Sequence, residues 1–298
     1  MPAILVTGGG GQLAQALARA AGTVADLGAL VVVGRPDFDF DRPDSIAKVV
    51  RAHAPALVVN AAAWTAVDAA EAEQAAAARA NASGPALLAR VCDAAGAKLI
   101  HISTDYVYDG SKGAPYVETD APNPAGVYGA TKLAGERAVL EALPGAVVLR
   151  TSWVYAEAGR NFVLTMLNAG RRLPELRVVA DQQGCPTNAD DLAHAVLGVA
   201  RTLLAAPDSR HGGVYHAAGT GAVTWHGFAE AIFDCAERHG RPRPVVHPIA
   251  TQDWPTPARR PLDSRLDCTR LATVFGVRLP DWQPSLHRAV SAICASQP

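Results

Sequence analysis

Short apolar runs recur along the first half of the chain: Ile4-Leu5-Val6, Val31-Val32-Val33, Leu57-Val58-Val59, Leu99-Ile100-His101-Ile102 and Val147-Val148-Leu149. Between them lie longer, Ala-rich stretches with helical periodicity. These predict helices from about Gln12 to Ala21, from near Pro43-Asp44-Ser45, through Ala80, from Ser83 to Gly96, and from about Tyr128 to Leu143. At the second of these, Asp44 or Ser45 is expected to cap and Pro43 to set the entry. Runs of three to five apolar residues, each returning after a helix, indicate a parallel sheet buried on both faces. Its crossovers are right-handed almost without exception. The expected architecture is α/β: a Rossmann-like doubly wound sheet over residues 1–150, carrying the chemistry. After Arg150 the rhythm loosens, and Pro174, Pro186, Pro242, Pro244, Pro248, Pro255, Pro257 and Pro261 cut the chain into short pieces. Helices are predicted near Asp190–Ala205 and Trp225–His239. Residues 151–298 are expected to form a smaller C-terminal substrate-binding lobe, with some segments returning to the main sheet.

Composition narrows the function classes. Of 298 residues, 49% are hydrophobic and 18% charged, and 27 Lys plus Arg balance 28 Asp plus Glu. A globular fold is expected, and without a basic excess nucleic acid is not an expected partner. Polar residues interrupt every apolar stretch before it could span a bilayer, so no membrane association is expected. The start, Met1-Pro2-Ala3-Ile4, has no basic segment and leads straight into a strand pattern, unlike a secretory signal. Cys92, Cys185, Cys235, Cys268 and Cys294 are odd in number and widely spaced, which suits neither a disulfide framework nor a metal ligand set. A cytoplasmic protein with reduced thiols is the expectation.

Two clusters of residues carry candidate chemistry. Thr7-Gly8-Gly9-Gly10-Gly11-Gln12-Leu13-Ala14 lies between the first strand and the first helix, where glycines let backbone amides approach a pyrophosphate at a helix N-terminus. Gly8, Gly11 and Ala14 hold the three marker places, a wider spacing than the common dinucleotide fingerprint, and a purely structural turn would use the same residues. The third strand ends in Asn60-Ala61-Ala62-Ala63, small side chains that leave room for a ligand at the sheet's carboxyl edge. The second cluster is Tyr128 and Lys132, four apart on one helical face, with Ser103-Thr104-Asp105-Tyr106 ending the fourth strand upstream. A solvated surface pair is the competing reading of the Tyr and Lys. A carbonyl that receives hydride needs a proton; an ammonium beside a tyrosine should lower the phenol's pKa and ready it to supply one. The same lysine is placed to hold a nicotinamide ribose, and Thr104 to donate a hydrogen bond to the substrate oxygen.

Together these residues resemble the extended short-chain dehydrogenase/reductase family. Within it, Asn60 through Asp68, Ser103 through Tyr108, Val127 through Glu136, Arg150 through Tyr155, Asp181 through Thr187, Thr224-Trp225-His226 and Pro255 through Pro261 are similar, in order, to reductases of dTDP-linked keto-sugars. The resemblance implies reduction of the 4-keto group of dTDP-4-dehydro-6-deoxy-L-mannose by NADPH or NADH. It implies dinucleotide contacts from Gly8, Gly11, Gln12, Leu13, Asp39, Phe40, Ala62, Ala63, Trp64 and Thr65. Tyr128 is implied as proton donor with Lys132 its partner, Thr104 as a tuning group, and Thr104, Asp105, Tyr106 and Trp153 as contacts to the nucleotide sugar. Some members form homodimers around a magnesium ion held by glutamates in the first helix and near the C-terminus. Gln15 and Ala292 stand near those places, so no metal is expected here. The second strand runs into Gly34-Arg35 rather than a carboxylate, which predicts a modest preference for NADPH through Arg35. Against this, Asp37 and Asp39 are close enough to repel a phosphate or to bind the arginine themselves.

Other readings compete. Dehydratases of the family carry Thr-Asp-Glu where this chain has Thr104-Asp105-Tyr106, which argues against elimination. The stretches around Trp225 and Arg259 do not resemble an epimerase. A non-catalytic role is the third possibility, because the chain also resembles the regulatory subunit of methionine adenosyltransferase; Thr104, Tyr128 and Lys132 favour catalysis.

Overall fold

The computed structural model describes residues 3–23, 27–205 and 211–296. Strands β1 (Ile4–Thr7), β2 (Leu30–Val33), β3 (Leu57–Asn60), β4 (Lys98–Thr104) and β5 (Val147–Thr151) alternate with helices α1 (Gln12–Ala20), α2 (Pro43–His53), α3 (Val67–Ala72), α4 (Gln74–Ala78), α5 (Gly84–Ala95) and α6 (Val127–Ala142). The remainder contributes β6 (Val154–Tyr155), α7 (Phe162–Gly170), β7 (Glu175–Val179), β8 (Gln183–Gly184), β9 (Thr187–Asn188), α8 (Ala189–Ala205) and β10 (Gly213–His216). After these come β11 (Val223–Thr224), α9 (Trp225–Glu237), β12 (Val245–Ile249), α10 (Thr269–Phe275) and α11 (Trp282–Ser296).

The main sheet has the order β10-β5-β4-β3-β1-β2, and its pairings are parallel throughout. Alternating side chains feed two apolar layers. Ile4, Val6, Leu57, Val59, Ile100, Val147 and Leu149 pack under α1 and α8. Leu5, Val58, Leu99 and Val148 pack with Ile46, Val50, Leu88 and Val139 from α2, α5 and α6. Both faces are covered, so the central strands read as continuous apolar runs. A separate cluster, with Tyr155, Val163, Phe228, Ile232, Trp282, Leu286 and Val290, holds α7, α9 and α11 together.

Local details depart from the sequence reading. The expected cap on α2 does not form: Arg42 is the N-cap without a side-chain bond, and Pro43 opens the first turn. Ser45 sits too far into the helix to cap it; its hydroxyl turns back to the main chain of Asp39, accepting from the amide at 3.0 Å and donating to the carbonyl at 3.1 Å. The run expected to be helical through Ala80 breaks at Glu73, and Arg79–Ser83 widens into a π turn before α5. The five cysteines are free thiols. No helix among the described residues is long and apolar enough to cross a membrane.

Candidate active site

The functional side chains gather where parallel strands end. Gly8 adopts φ +85°, and a Cβ there would lie 2.8 Å from the main chain of Ala61 and Ala62. The glycine turn is therefore pressed onto the end of β3, fixed by Gly11 N–H to Gly8 O at 2.7 Å and Gly9 N–H to Val33 O at 2.9 Å. Space above Gly10 is open, and Gly11 caps α1 without a side-chain bond. The first amides of α1 thus face an open cradle, which fits a dinucleotide pyrophosphate. Leu13 is buried in the core, so its backbone is what it can offer. Gln12 spans to the second half, accepting from Asn161 Nδ2 at 2.9 Å.

Asn60 organises the end of β3, accepting from Thr7 Oγ1 at 2.7 Å and from the Ala62 amide at 3.2 Å. Asn81, in the π turn, accepts from Trp64 N at 2.8 Å and donates to Trp64 O at 3.1 Å and to Thr131 Oγ1 at 3.2 Å. The segment Ala62-Ala63-Trp64-Thr65 is thereby tied to α6. Phe40 sits with its ring edge-on to Phe38 and packs against the core layer that holds α2 and α5. Arg35 is 69% exposed and pairs with Asp39 and Asp41, each at 3.1 Å. Of the two carboxylates weighed from sequence, Asp39 takes the arginine; Asp41, not Asp37, is the second.

Thr104, Tyr128 and Lys132 come together at the end of β4. Thr104 hydrogen-bonds the Tyr128 phenol, yet burial dominates and pushes Tyr128 up to about 12, with the Asp105 charge adding to the rise. The expectation that the lysine would lower this phenol is not met. Lys132 is only 2% exposed, its Nζ donates to Ile102 O at 2.6 Å, and burial lowers it to about 8 against the pull of Glu136. Both groups lie in a site where burial opposes the charged form.

Asp105 stands behind Thr104. It is buried, accepts from Thr104 Oγ1 at 3.1 Å and Ser152 Oγ at 3.0 Å, and burial raises it to about 6 against these bonds and one from Ser264. Tyr106 lays its ring edge-on to Tyr128, centroids 5.6 Å apart, and hydrogen-bonds Arg260. That arginine grips Asp68 in a fork, at 3.1 and 2.8 Å, so the Pro255–Pro261 segment is fastened beside the Trp64-Thr65 segment. Trp153 has φ +46°, rare for a bulky residue. Its ring stacks on Trp225 at 3.3 Å, and a Cβ on Gly184 would come within 2.5 Å of it. A backbone conformation this unfavourable is held by packing of the ring against Trp225 and Gly184.

Sequence reasoning missed Arg260, Asp68, Gly184 and Trp225 as supports, although all lie in the stretches singled out. It also missed Glu136 and Arg150, a buried ion pair with Nη2 to Oε2 at 2.6 Å. For Arg150, a charged residue inside the apolar strand β5 was the available signal.

Comparison with known proteins gives the family. The family described as "RmlD substrate binding domain" matches residues 1–294. A dTDP-4-dehydrorhamnose reductase from Sinorhizobium fredii is 43% identical over 290 residues, covering 97% of each chain. Among solved structures, a dTDP-4-dehydrorhamnose reductase from Clostridium acetobutylicum superposes with TM-score 0.87 at 34% identity, covering 98% of this chain and 99% of that one. One from Bacillus anthracis, in complex with NADP, gives TM-score 0.89 at 32% identity, covering 98% and 100%. With match and coverage running from end to end, the chain belongs to the dTDP-4-dehydrorhamnose reductase family.

Proposed function

We propose that the protein reduces the 4-keto group of dTDP-4-dehydro-6-deoxy-L-mannose, giving dTDP-L-rhamnose. The observation that carries the reading is the convergence of Thr104, Tyr128 and Lys132 beside an open glycine cradle. NADPH or NADH, when bound, supplies the hydride for carbon 4. Gly8 to Leu13 would hold its pyrophosphate, Ala62 to Thr65 and Phe40 would line it, and Lys132 would meet the ribose. Tyr128, protonated throughout the neutral range, delivers the proton to oxygen 4 as negative charge develops there. Thr104, whose one hydroxyl hydrogen points to Asp105 in the structure, would turn it to that oxygen when the sugar is bound, and Lys132 as ammonium favours the phenolate that proton delivery leaves. Tyr106 and Trp153, braced by Arg260 and Trp225, are assigned to the sugar; Asp105 holds the Thr104 hydroxyl hydrogen until oxygen 4 competes for it.

The residues near the family's magnesium place do not fit a cation. Gln15 directs its amide nitrogen to Gly9 O, and Ala292 has no ligating side-chain atom. No magnesium-bridged homodimer is part of this reading. The free thiols favour a reducing compartment, the cytoplasm.

Incubating the protein with the keto-sugar nucleotide and reduced nicotinamide tests the assignment. Loss of nicotinamide absorbance matched by formation of dTDP-L-rhamnose is expected. No turnover, together with stable binding to a methionine adenosyltransferase, would replace it with the regulatory reading.

Arg35 is proposed to favour NADPH. Its exposed pairs with Asp39 and Asp41 are each worth about 0–1 kcal/mol, which a 2′-phosphate can outcompete. Removing the arginine also bares both carboxylates to the phosphate. Arg35→Ala is expected to lower kcat/KM with NADPH several-fold more than with NADH. An unchanged ratio of the two specificity constants would show that discrimination lies elsewhere.

A further inference from the structure

Beneath the catalytic residues a row of buried polar groups crosses the sheet. Glu136 stands one helical turn after Lys132 on α6, the same face by helical geometry. It is fully engaged: Ser103 Oγ donates to Oε1 at 2.5 Å, Arg150 Nε donates to Oε1 at 2.9 Å, and Arg150 Nη2 to Oε2 at 2.6 Å. Arg150 is held in turn, donating from Nη1 to Tyr108 Oη at 2.7 Å with its guanidinium over that ring at 5.1 Å. His216 closes the row from β10, its Nε2 at 3.0 Å from Tyr108 Oη and its Nδ1 at 3.1 Å from Asp267 O. Glu136, Arg150 and His216 are buried. Buried ion pairs add little stability compared with an apolar pair of similar volume, so stability alone does not account for this one.

We propose that Glu136, locked by Arg150 and Ser103, is the fixed counter-charge that keeps Lys132 an ammonium, making Glu136 and Arg150 positioning residues for proton delivery by Tyr128. This rests on the reductase reading above and deepens it. Among the described residues around Lys132, no other group supplies that field. From β4 it faces His101, which accepts from Asn60 Nδ2 through Nδ1 at 2.9 Å. The His101 hydrogen is therefore on Nε2, which has no partner among the described residues. Burial and the lysine's own charge keep that ring neutral. Tyr128 on the same helix is protonated, Asn81 in the π turn is uncharged, and Arg150 on β5 is positive. Asp105, beyond Thr104, interacts with Tyr128, while Glu136 is the charge that favours the ammonium. The clamp serves a second purpose, since Ser103 immediately precedes Thr104 and its hydroxyl is anchored to the same carboxylate.

The signs of the expected effects are opposite for the two partners. Activity that requires the ammonium is present below the lysine's pKa and lost as pH rises through it. Glu136→Gln removes the favourable charge and leaves Arg150 repelling, so the alkaline limb of kcat should move at least about one pH unit lower, a tenfold change in proton affinity. Arg150→Met leaves Glu136 unopposed and should move the limb higher. The double variant Glu136→Gln/Arg150→Met leaves no buried unpaired charge, and its limb should lie below wild type by less than that of Glu136→Gln. Rates are taken per folded molecule, with the folded fraction read by circular dichroism. If the single variants do not fold, the double variant decides. Limbs coincident with wild type, or moving the same way in both single variants, would overturn the proposal and reduce the pair to structure. Failure of the reductase reading would show separately, as absence of keto-sugar reduction by the wild-type enzyme.

Discussion

Tyr128→Phe is expected to lower kcat by about 10²-fold or more, the usual scale of a positioned proton transfer. The substitution keeps the ring that packs edge-on against Tyr106 and removes only the hydroxyl that Thr104 meets. Folding and cofactor affinity should therefore stay close to wild type. Steady-state kinetics beside a nicotinamide-binding titration separates these effects. Near-wild-type turnover would remove Tyr128 as the acid and require another donor within the site. Asp105 would be the group to test next, since burial raises it to about 6.

Lys132→Met should be at least as damaging, but with a different signature. On the reading proposed above, it removes the group that would meet the ribose and the positive charge beside the phenol, so cofactor binding should weaken along with turnover. The pH profile carries the sharper information. In the wild type Lys132 is the first of the two groups to lose its proton as pH rises, at about 8, with Tyr128 following only near 12. Without the lysine, the residual activity should lose its limb near 8 and extend to higher pH. A profile and a cofactor affinity identical to wild type would make Lys132 a spectator.

The Tyr128–Lys132 spacing, the glycine turn and the five leading strands were legible because each is a local pattern: a helical spacing of four, a turn with no side chains, an apolar run. Other features were carried by pairings over long stretches of chain. Arg260 meets Asp68 across 192 positions, and neither residue announces the other until the Pro255–Pro261 segment is folded over α3. Likewise Trp153 and Gly184 are informative only once the ring is seen to need the glycine's missing side chain. Helix α11 was overlooked although Trp282, Leu286, Ala289, Val290 and Ile293 follow helical spacing, because prolines upstream suggested irregular chain. His101 and Arg150 were visible as polar breaks in apolar strands. What they were for depended on knowing which helix lay across them, and α6 supplies that answer through Lys132 and Glu136. The tyrosine's acidity was misjudged for a related reason: spacing brings an ammonium near but does not reveal how thoroughly water is excluded.

The place of β10 in the sheet bears on how the protein is made. A nascent chain has finished β5 at Thr151, yet that strand's outer edge pairs with Gly213–His216, which the ribosome adds much later. Until then the growing polypeptide carries an open parallel edge, a template for mispairing with other chains. His216, which closes the row behind Arg150, arrives with the same strand. The chain therefore has no point near Arg150 at which it could be cut to leave a finished first half. Synthesis must run well into the second half before the first is sealed, and the interval between is where chaperone protection would matter most.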